Sequence, residues 1–321
     1  MNTPFHLFAA LFAAAMPFLS GCNDAAPRAS ALKPRPPATT PPDLGSNALT
    51  RVTRLCSLGP RDALTPGAER VAKWIADELS AIGLDPQTDT FDDPSPDGSS
   101  RIFRNILATV SGTGKGRVLL LSHYDTKSGI SNSFVGANDG GSSTGLLLEL
   151  AAFFAKEPPA PSVTFAFLDG EECRIAYGKT DGLHGSRRLA RRMREAGEQA
   201  DAVILLDMVG DRDLCLTLPR NGDARLKTAL LNAAAAQGLR NKVKLFPSDM
   251  LDDHQPFLDA GYPAIDLIDF EYGSAPGLRN YWHTDADTVD KLSAESLRAI
   301  GAIVVQMVAD IGTARCDGKG D

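Results

Sequence analysis

The chain has 321 residues, of which 43% are hydrophobic and 23% charged, and its formal net charge is −7. These values are ordinary for a soluble globular protein, and the acidic balance argues against a nucleic-acid-binding function. The length is sufficient for one large α/β domain with a sizeable core. Beyond the N-terminus, no apolar stretch is long enough to predict a membrane-spanning helix.

The N-terminal segment has the features of an export signal. Residues 7–19 form an apolar run of signal-peptide length, and the sequence Leu-Ser-Gly-Cys follows at 19–22. This sequence resembles the lipobox of bacterial lipoproteins, in which cleavage leaves Cys22 as an acylated first residue. We therefore expect a lipoprotein-type signal peptide over residues 1–21 and a location on the periplasmic or cell-envelope side, with the lipid on Cys22 as the membrane contact. The lack of Lys and Arg in residues 1–6 departs from the usual pattern, and plain secretion is the alternative.

The next segment is expected to be a tether. Residues 22–46 are rich in Pro, Ala and Thr and cannot bury enough apolar area to fold. The catalytic domain is therefore expected to span residues 47–315, followed by a tail over residues 316–321. Four cysteines besides the N-terminal one would permit disulfides without fixing their pairing: Cys56, Cys173, Cys215 and Cys316.

Apolar periodicity and turn residues predict alternating helices and strands along the domain. Helices are predicted over residues 48–58, 67–82, 142–156, 185–196, 224–238, 254–260 and 294–311. Strands are predicted over residues 88–91, 102–110, 118–122, 163–168, 202–207, 213–218, 243–246 and 264–268. This alternation indicates a single α/β domain with a central, mostly parallel twisted sheet and helices on both faces. The fourth helix is expected to have a basic surface stripe formed by Arg187, Arg188, Arg191, Arg192 and Arg194.

Acidic and imidazole side chains follow several of the predicted strands. The strand at 163–168 leads into the adjacent carboxylates of Glu171 and Glu172. Similar positions at other strand ends are occupied by His123, Asp139, Asp207 and His283. Because ligands bind beyond the carboxyl ends of strands in open α/β sheets, these side chains are expected to converge. Carboxylate and imidazole ligands without thiolates suit zinc, although manganese or cobalt also binds carboxylate-rich sites.

These residues can be divided into metal ligands and a proton carrier. A catalytic zinc site has three protein ligands and one open position, and the chain offers Asp139, Glu172 and His283 for it. His123 and Asp207 could complete a second site, with Asp139 bridging two ions. Glu171 lies beside a ligand and is itself free, so it is placed to act as general base and then general acid.

A glycine-rich stretch surrounds the central ligand. Residues 136–141 precede a predicted helix, as a phosphate-binding loop would, but the Gly-Lys-Ser/Thr ending of such loops is missing. The glycines are instead expected to let the backbone turn sharply around Asp139.

Motifs at these positions resemble the M28 zinc aminopeptidase superfamily. They lie at residues 123–125, 136–139, 169–172, 206–207 and 282–284, and the resemblance covers about residues 55–311. Within the superfamily, the chain is most similar to the glutaminyl-peptide cyclotransferases, or glutaminyl cyclases. The features that indicate this are the His-Tyr-Asp-Thr-Lys sequence at 123–127, the long insertion between residues 172 and 185, the Asp-Asp-His-Gln-Pro-Phe-Leu sequence at 252–258, and Trp282 directly before His283.

The resemblance implies an enzyme that converts the N-terminal glutamine of peptides or proteins to pyroglutamate with release of ammonia. It implies one Zn²⁺ ion on Asp139, Glu172 and His283. Glu171 would carry a proton from the substrate α-amine to the leaving ammonia. Asp207 and Asp252 would share a short hydrogen bond beside Glu171. Trp282 would form one side of the pocket for the glutamine side chain.

The pattern departs from the cyclases at two pocket positions. A pocket histidine expected near residues 264–265 is replaced by Asp266, and a second tryptophan after the glutamate pair is replaced by Tyr177. We expect these changes to alter the shape of the pocket and its substrate preference.

Two alternatives to a cyclase stay open. One is a two-metal aminopeptidase in which Glu171 activates a water that attacks a peptide carbonyl, since all five ligands are present. The other is a non-catalytic binding lipoprotein.

Overall fold

The computed structural model describes residues 36–314, in which helices and strands alternate. The helices are α1 (Leu44–Cys56), α2 (Pro66–Ala81), α3 (Gly141–Lys156), α4 (His184–Glu195), α5 (Ala224–Ala236), α6 (Gln255–Asp259) and α7 (Ala294–Ala314). The strands are β1 (Gln87–Pro94), β2 (Ser100–Val110), β3 (Arg117–His123), β4 (Ser162–Leu168), β5 (Ala202–Asp207), β6 (Leu216–Leu218), β7 (Val243–Leu245) and β8 (Ala264–Ile268). The expected signal peptide, its Cys22, most of the tether and the C-terminal tail lie outside the described residues.

All eight strands form one sheet in the order β1-β2-β4-β3-β5-β8-β6-β7. Its centre is parallel, because β3 pairs in parallel with both β4 and β5, and β5 pairs in parallel with β8. The β1–β2 hairpin adds antiparallel strands at one edge, and β6 runs antiparallel to β8 near the other. The prediction of a mostly parallel sheet in a single α/β domain is confirmed.

Helices cover both faces of this sheet, as the sequence predicts. In β3, Val118 and Leu120 belong to a core that also contains buried residues of α1, α2, α3, α5 and α7. Leu119 and Leu121 point the other way and join a second core with α4 and Phe257 of α6. Alternate side chains of a strand face opposite sides of a sheet, so the continuous apolar run of β3 fills both cores.

Several helix starts follow from local sequence. Thr65 caps α2, because its Oγ1 accepts a hydrogen bond from the Ala68 N–H at 3.3 Å, and Pro66 occupies the first helical position. Asp223 caps α5 by accepting hydrogen bonds from the backbone N–H groups of Arg225 and Leu226 at 2.9 and 3.0 Å.

The ordered domain begins earlier than the predicted boundary at residue 47. Helix α1 starts at Leu44, whose side chain is 1% exposed and packs over Gly301 of α7. Upstream of it, the Ala38 N–H donates a hydrogen bond to Gln306 Oε1 at 2.6 Å. The burial of Leu44 and the hydrogen bond of Ala38 therefore give a defined structure to residues whose composition predicts a tether.

Strand β6 is shorter than predicted, since it begins at Leu216 and not at Asp213. The preceding residues turn instead: the Leu214 N–H donates to the Asp211 carbonyl at 3.1 Å, and the Asp213 N–H donates to Asp211 Oδ1 at 3.1 Å. A local hydrogen bond to an aspartate side chain competes here with strand pairing.

Two further findings concern the described residues as a whole. None of the helices within 36–314 combines the length and the apolar character needed to cross a membrane. The three cysteines in this part of the chain, Cys56, Cys173 and Cys215, are free thiols.

Candidate active site

The predicted site residues converge at the carboxyl ends of the central strands. Strand β3 ends at His123, which is level with Leu168 at the end of β4, and β5 ends at Asp207. The loop after β4 carries Glu171 and Glu172 to the same edge of the sheet. Loops then add Asp139, Asp252 and His283 from outside the strands.

Asp139 lies between two groups of side chains. His123 Nε2 is 3.2 Å from Asp139 Oδ1 and 3.2 Å from Asp207 Oδ1. His283 Nε2 is 3.2 Å from Asp139 Oδ2 and 3.0 Å from Glu172 Oε1. In each group of three, the potential ligand atoms lie within 4.8 Å of one another. The two three-residue sets predicted from the sequence therefore both exist as compact clusters that share Asp139.

The charges of these clusters favour a bound cation. Burial and the nearby Asp139 carboxylate raise the pKa of Glu172 to about 7. Burial opposes the charged form of His283, but Asp139 and Glu172 outweigh it and raise the pKa of the imidazole to about 10. Three buried carboxylates thus draw positive charge into the site, which protons or a metal ion can supply.

The residues present also fit a zinc ion by their chemistry. The donor set is imidazole and carboxylate, as in catalytic zinc sites. Glu172 Oε2 is buried and has no hydrogen-bond donor among the described residues, with Lys127 Nζ 3.7 Å away. An orphaned buried carboxylate oxygen is costly, and coordination to a metal would satisfy it.

Glu171 is adjacent to this cluster but lies outside both sets of ligands. Its Oε1 accepts a hydrogen bond from the Tyr177 hydroxyl at 2.9 Å. Burial, followed by repulsion from the Glu172 carboxylate, raises the pKa of Glu171 well above its ordinary value. A cation bound to Glu172 would offset part of that repulsion. Asp125 holds both glutamates in place, because its two oxygens accept hydrogen bonds from their backbone N–H groups at 3.1 and 3.2 Å.

The insertion after the glutamate pair forms an ordered loop over Glu171. The Asp181 carboxylate accepts hydrogen bonds from the backbone N–H groups of residues 174–176, at 2.7 to 3.0 Å. The loop closes where the Leu183 N–H donates to the Glu171 carbonyl at 2.9 Å. These hydrogen bonds fix the position of Tyr177, so its hydroxyl stays within hydrogen-bonding distance of Glu171, the candidate proton carrier.

A second group of acidic side chains lies beside the two clusters of potential metal ligands. Burial, followed by the charges of Asp207 and Asp253, raises the pKa of Asp252 well above its ordinary value. Asp266 is 1% exposed, and its Oδ2 is 3.9 Å from His254 Nδ1. Burial, followed by the charges of Asp252 and Asp207, raises the pKa of Asp266 well above its ordinary value. The carboxylates of Asp207, Asp252 and Asp266 therefore lie close enough for their charges to act on one another. Asp266 acts on the site through its charge, from a buried position.

Aromatic side chains surround the last ligand. The Trp282 ring stacks on the imidazole of His283 with centroids 4.2 Å apart and meets Phe270 edge-on at 5.4 Å. The backbone of His283 has a φ of +52°, which non-glycine residues rarely adopt. Strain of this kind persists only where the surrounding contacts over-determine the conformation.

Two residues that fix the Asp139 loop were not predicted from the sequence. Asp287 accepts hydrogen bonds from the backbone N–H groups of Asn138 and Asp139 at 2.7 and 3.1 Å and from the Tyr272 hydroxyl at 2.8 Å. The fully buried guanidinium of Arg61 donates to the carbonyl oxygens of Tyr124, Val135, Gly136 and Asp139. In the sequence, Arg61 belongs to a Gly-Pro-Arg-Asp turn, and Asp287 is an aspartate shortly after His283. Neither pattern shows whether the side chain is buried and supports the site or lies in a surface loop.

Comparison with known proteins places this site in a family. The sequence pattern of peptidase family M28 matches residues 105–308, which is more than half of the chain and includes every ligand of both clusters. The chain belongs to peptidase family M28. The resemblance inferred from the sequence motifs is therefore confirmed.

The proteins that are similar to this chain include both glutaminyl cyclases and a Zn-dependent exopeptidase. A glutaminyl-peptide cyclotransferase of Drosophila melanogaster is 27% identical over 280 residues, covering 78% of this chain and 76% of that protein. The crystal structure of an Acidobacteriales bacterium glutaminyl cyclase superposes with a TM-score of 0.79 at 33% identity, covering 87% of this chain and 99% of that one. A Zn-dependent exopeptidase of Parabacteroides distasonis superposes with a TM-score of 0.73 at 25% identity, covering 83% and 98%.

Proposed function

We propose that this chain is a zinc-dependent glutaminyl-peptide cyclotransferase, which converts the N-terminal glutamine of peptides or proteins to pyroglutamate and releases ammonia. The observation that carries the proposal is the ordered insertion that places the Tyr177 hydroxyl on Glu171. This insertion is the segment by which the sequence resembles cyclases and differs from typical aminopeptidases. Similarity to glutaminyl cyclases over most of the chain supports the same conclusion.

The proposed zinc site consists of Asp139, Glu172 and His283, with one ion per chain. When bound, zinc would act as a Lewis acid on the γ-carboxamide carbonyl of the substrate. Asp287 and Arg61 would keep Asp139 in place through the backbone of its loop.

The reaction is intramolecular, so the protein has to orient the substrate and move a proton. The α-amine nitrogen forms a bond to the γ-carbonyl carbon, and the bond from that carbon to the amide nitrogen breaks. Glu171 accepts a proton from the α-amine and delivers it to the departing nitrogen, which leaves as ammonia. A buried carboxyl whose pKa lies well above its ordinary value binds a proton more readily than a free carboxylate does, which suits this double role. Trp282 would provide the apolar wall against which the glutamine side chain folds back.

The second candidate is a two-metal aminopeptidase. The observation that favours it is the intact cluster of His123, Asp139 and Asp207, which could hold another ion beside the first. In that enzyme Glu171 would activate a water molecule for attack on the first peptide bond. Similarity to a Zn-dependent exopeptidase supports this alternative.

Mass spectrometry of a peptide with N-terminal glutamine tests the proposal. We expect the purified zinc-loaded chain to produce a peptide lighter by one ammonia, faster than the spontaneous reaction, and a chelator to stop it. Release of the first residue would instead identify an aminopeptidase. If several peptides give neither product, the non-catalytic alternative is favoured.

A glycine in the Asp139 loop provides a test of the local packing. Gly140 has a φ of +67°, and a Cβ at this position would lie 2.7 Å from Cε1 of His123. Gly140→Ala should push the imidazole away from Asp139 and lower the cyclisation rate by about 100-fold, the order of loss caused by small misplacements in active sites. Steady-state kinetics and thermal unfolding would be measured together.

Gly129→Ala is the matched control. Gly129 also has a positive φ, of +84°, but no atom lies within 4 Å of an added Cβ. Both variants should lose about 1–2 kcal/mol from the unfavourable backbone conformation, and only Gly140→Ala should lose activity. Equal rates for the two variants would show that the contact with His123 is unimportant for turnover.

We also propose that the chain is exported as a bacterial lipoprotein, held on the periplasmic or cell-envelope side by a lipid on Cys22. The apolar run and the Leu-Ser-Gly-Cys sequence at 19–22 support this assignment. Metabolic labelling with a radioactive fatty acid should mark the wild-type chain and leave the Cys22→Ser variant unlabelled. Labelling of both would contradict the assignment.

A further inference from the structure

The arginines of helix α4 form two sets that face different neighbours. Arg188 and Arg192, one turn apart, both pair with Asp89 of β1 at 3.1 Å. Arg187, Arg191 and Arg194 follow the spacing of an adjacent helix face, so their side chains project elsewhere. Two of the five arginines in the basic stripe predicted from the sequence thus pair with a carboxylate at the edge of the sheet.

The second set lines a groove between α4 and α6, which we call the arginine groove. Its volume is about 260 Å³. Its apolar lining includes Leu183, which is buried, and Leu251, which is 54% exposed. Arg187, Arg191 and Arg194 contribute to the same lining. A groove that combines exposed apolar surface with several cationic groups is suited to a polypeptide segment.

Two of these arginines have no counter-ion among residues 36–314. Among the described residues, neither Arg191 nor Arg194 forms an ion pair or a side-chain hydrogen bond, and both are exposed. The single carboxylate of the groove, Asp259, accepts a hydrogen bond from Gln255 at 2.6 Å. In a chain with a net charge of −7, the arginine groove is therefore a local positive site.

The arginine groove adjoins the candidate active site through the loops that build it. Leu183 closes the insertion by hydrogen bonding to the Glu171 carbonyl at 2.9 Å. Arg187 donates to the carbonyl oxygens of Gly178 and Gly182, which flank the turn after Tyr177. On the other wall, Leu251 directly precedes Asp252. The part of the groove lined by Leu183 and Leu251 therefore lies beside two loops that build the candidate active site.

We propose that the arginine groove binds an acidic segment of the polypeptide substrate that follows its N-terminal glutamine. The inference rests on the proposed cyclase function and specifies its substrate class as acidic N-terminal regions. Carboxylates of the substrate would pair with Arg191 and Arg194, while its apolar side chains would cover Leu251. Electrostatic complementarity of this kind selects partners and accelerates their encounter.

Kinetics with matched peptides test the substrate preference. One peptide carries a run of glutamates a few residues after its N-terminal glutamine, and its control carries glutamines at the same positions. The wild-type chain should cyclise the acidic peptide with a kcat/KM about tenfold higher, through a lower KM, as two exposed ion pairs would give. The preference should shrink as salt is added.

The double variant Arg191→Glu and Arg194→Glu should reverse this preference. A glutaminyl dipeptide amide, too short to reach the arginine groove, should keep its rate and so report an intact catalytic centre. Arg54→Glu combined with Arg225→Glu is the matched control, because it makes the same change in net charge at exposed positions on α1 and α5. A wild-type chain that shows no preference, or a preference that survives the reversal, would overturn the proposal.

Binding measured without turnover separates this inference from the cyclase assignment. A labelled acidic peptide that already begins with pyroglutamate should raise fluorescence anisotropy with the wild-type chain and not with the groove variant. Binding without cyclisation of any glutaminyl peptide would leave the groove in place and reject the cyclase. Cyclisation of glutaminyl peptides without binding of the acidic peptide and without a preference for it would keep the cyclase assignment and reject the arginine groove as a binding site. Tighter binding of a single-stranded oligonucleotide of equal charge would reject a polypeptide as the occupant.

Discussion

Glu171→Gln is expected to reduce cyclisation by about 10²–10⁴-fold, the usual contribution of a positioned general base. The amide cannot take up the proton of the substrate α-amine, so transfer to the leaving nitrogen fails. The variant should otherwise resemble the wild type, because the amide oxygen can still accept the Tyr177 hydrogen bond and Asp125 binds only the backbone of this residue. The rate is measured by mass spectrometry with a glutaminyl peptide.

Two controls make that result specific to Glu171. Zinc content and circular dichroism should be unchanged, since Glu171 belongs to neither ligand cluster. Glu195→Gln removes a carboxylate from the exposed end of α4 and should keep the full rate. If the Glu171 variant turns over at the wild-type rate, the carboxylate has no role in proton transfer.

His283→Ala is expected to release most of the zinc. The substitution leaves Asp139 and Glu172 without the imidazole that lies 3.2 and 3.0 Å from them. Loss of a direct ligand should weaken binding by more than the roughly 10–100-fold that loss of an outer hydrogen-bond partner costs. Elemental analysis after dialysis against a weak chelator measures the effect. Stoichiometric zinc in this variant would remove His283 from the ligand set.

His123→Asn is the companion variant that separates one metal from two. His123 contacts Asp139 and Asp207 but lies outside the cluster that contains His283. With a single zinc ion, the asparagine variant should keep about one zinc per chain, while His283→Ala loses it. A wild-type chain with two ions, from which each variant loses one, would identify the two-metal aminopeptidase arrangement.

The sequence predicts the elements of this fold well because their periodicity is strong. The continuous apolar runs of β3, β4 and β5 are typical of parallel strands buried on both faces, and the structure confirms them. Prediction was weaker where local polar contacts decide the backbone. The Asp211 side chain turns the chain before β6, and burial of Leu44 over Gly301 extends α1 into a segment of tether-like composition.

Part of the site was also determined by the sequence alone. Residue type was enough to group Asp139 with both histidines and to separate Glu171 from Glu172. The expectation of strand-end positions holds for His123 and Asp207, because parallel strands bring their carboxyl ends to one edge, whereas Asp139 and His283 reach that edge through loops. The motifs added Asp252 and Trp282 through resemblance. None of this required knowledge of side-chain packing.

Tertiary structure decided what supports and surrounds those groups. Arg61 and Asp287 act on the Asp139 loop from 78 and 148 positions away in the chain, through hydrogen bonds to backbone atoms that leave no pattern in the sequence. The buried position of Asp266 against Asp252 likewise depends on how β8 packs against a loop. The arginines of α4 look alike in sequence, and only tertiary contacts separate Arg188 and Arg192, which pair with Asp89 on β1, from Arg187, which donates to backbone carbonyl oxygens of the insertion. Periodicity and residue chemistry are local properties of a chain, whereas burial and pairing depend on segments that folding brings together.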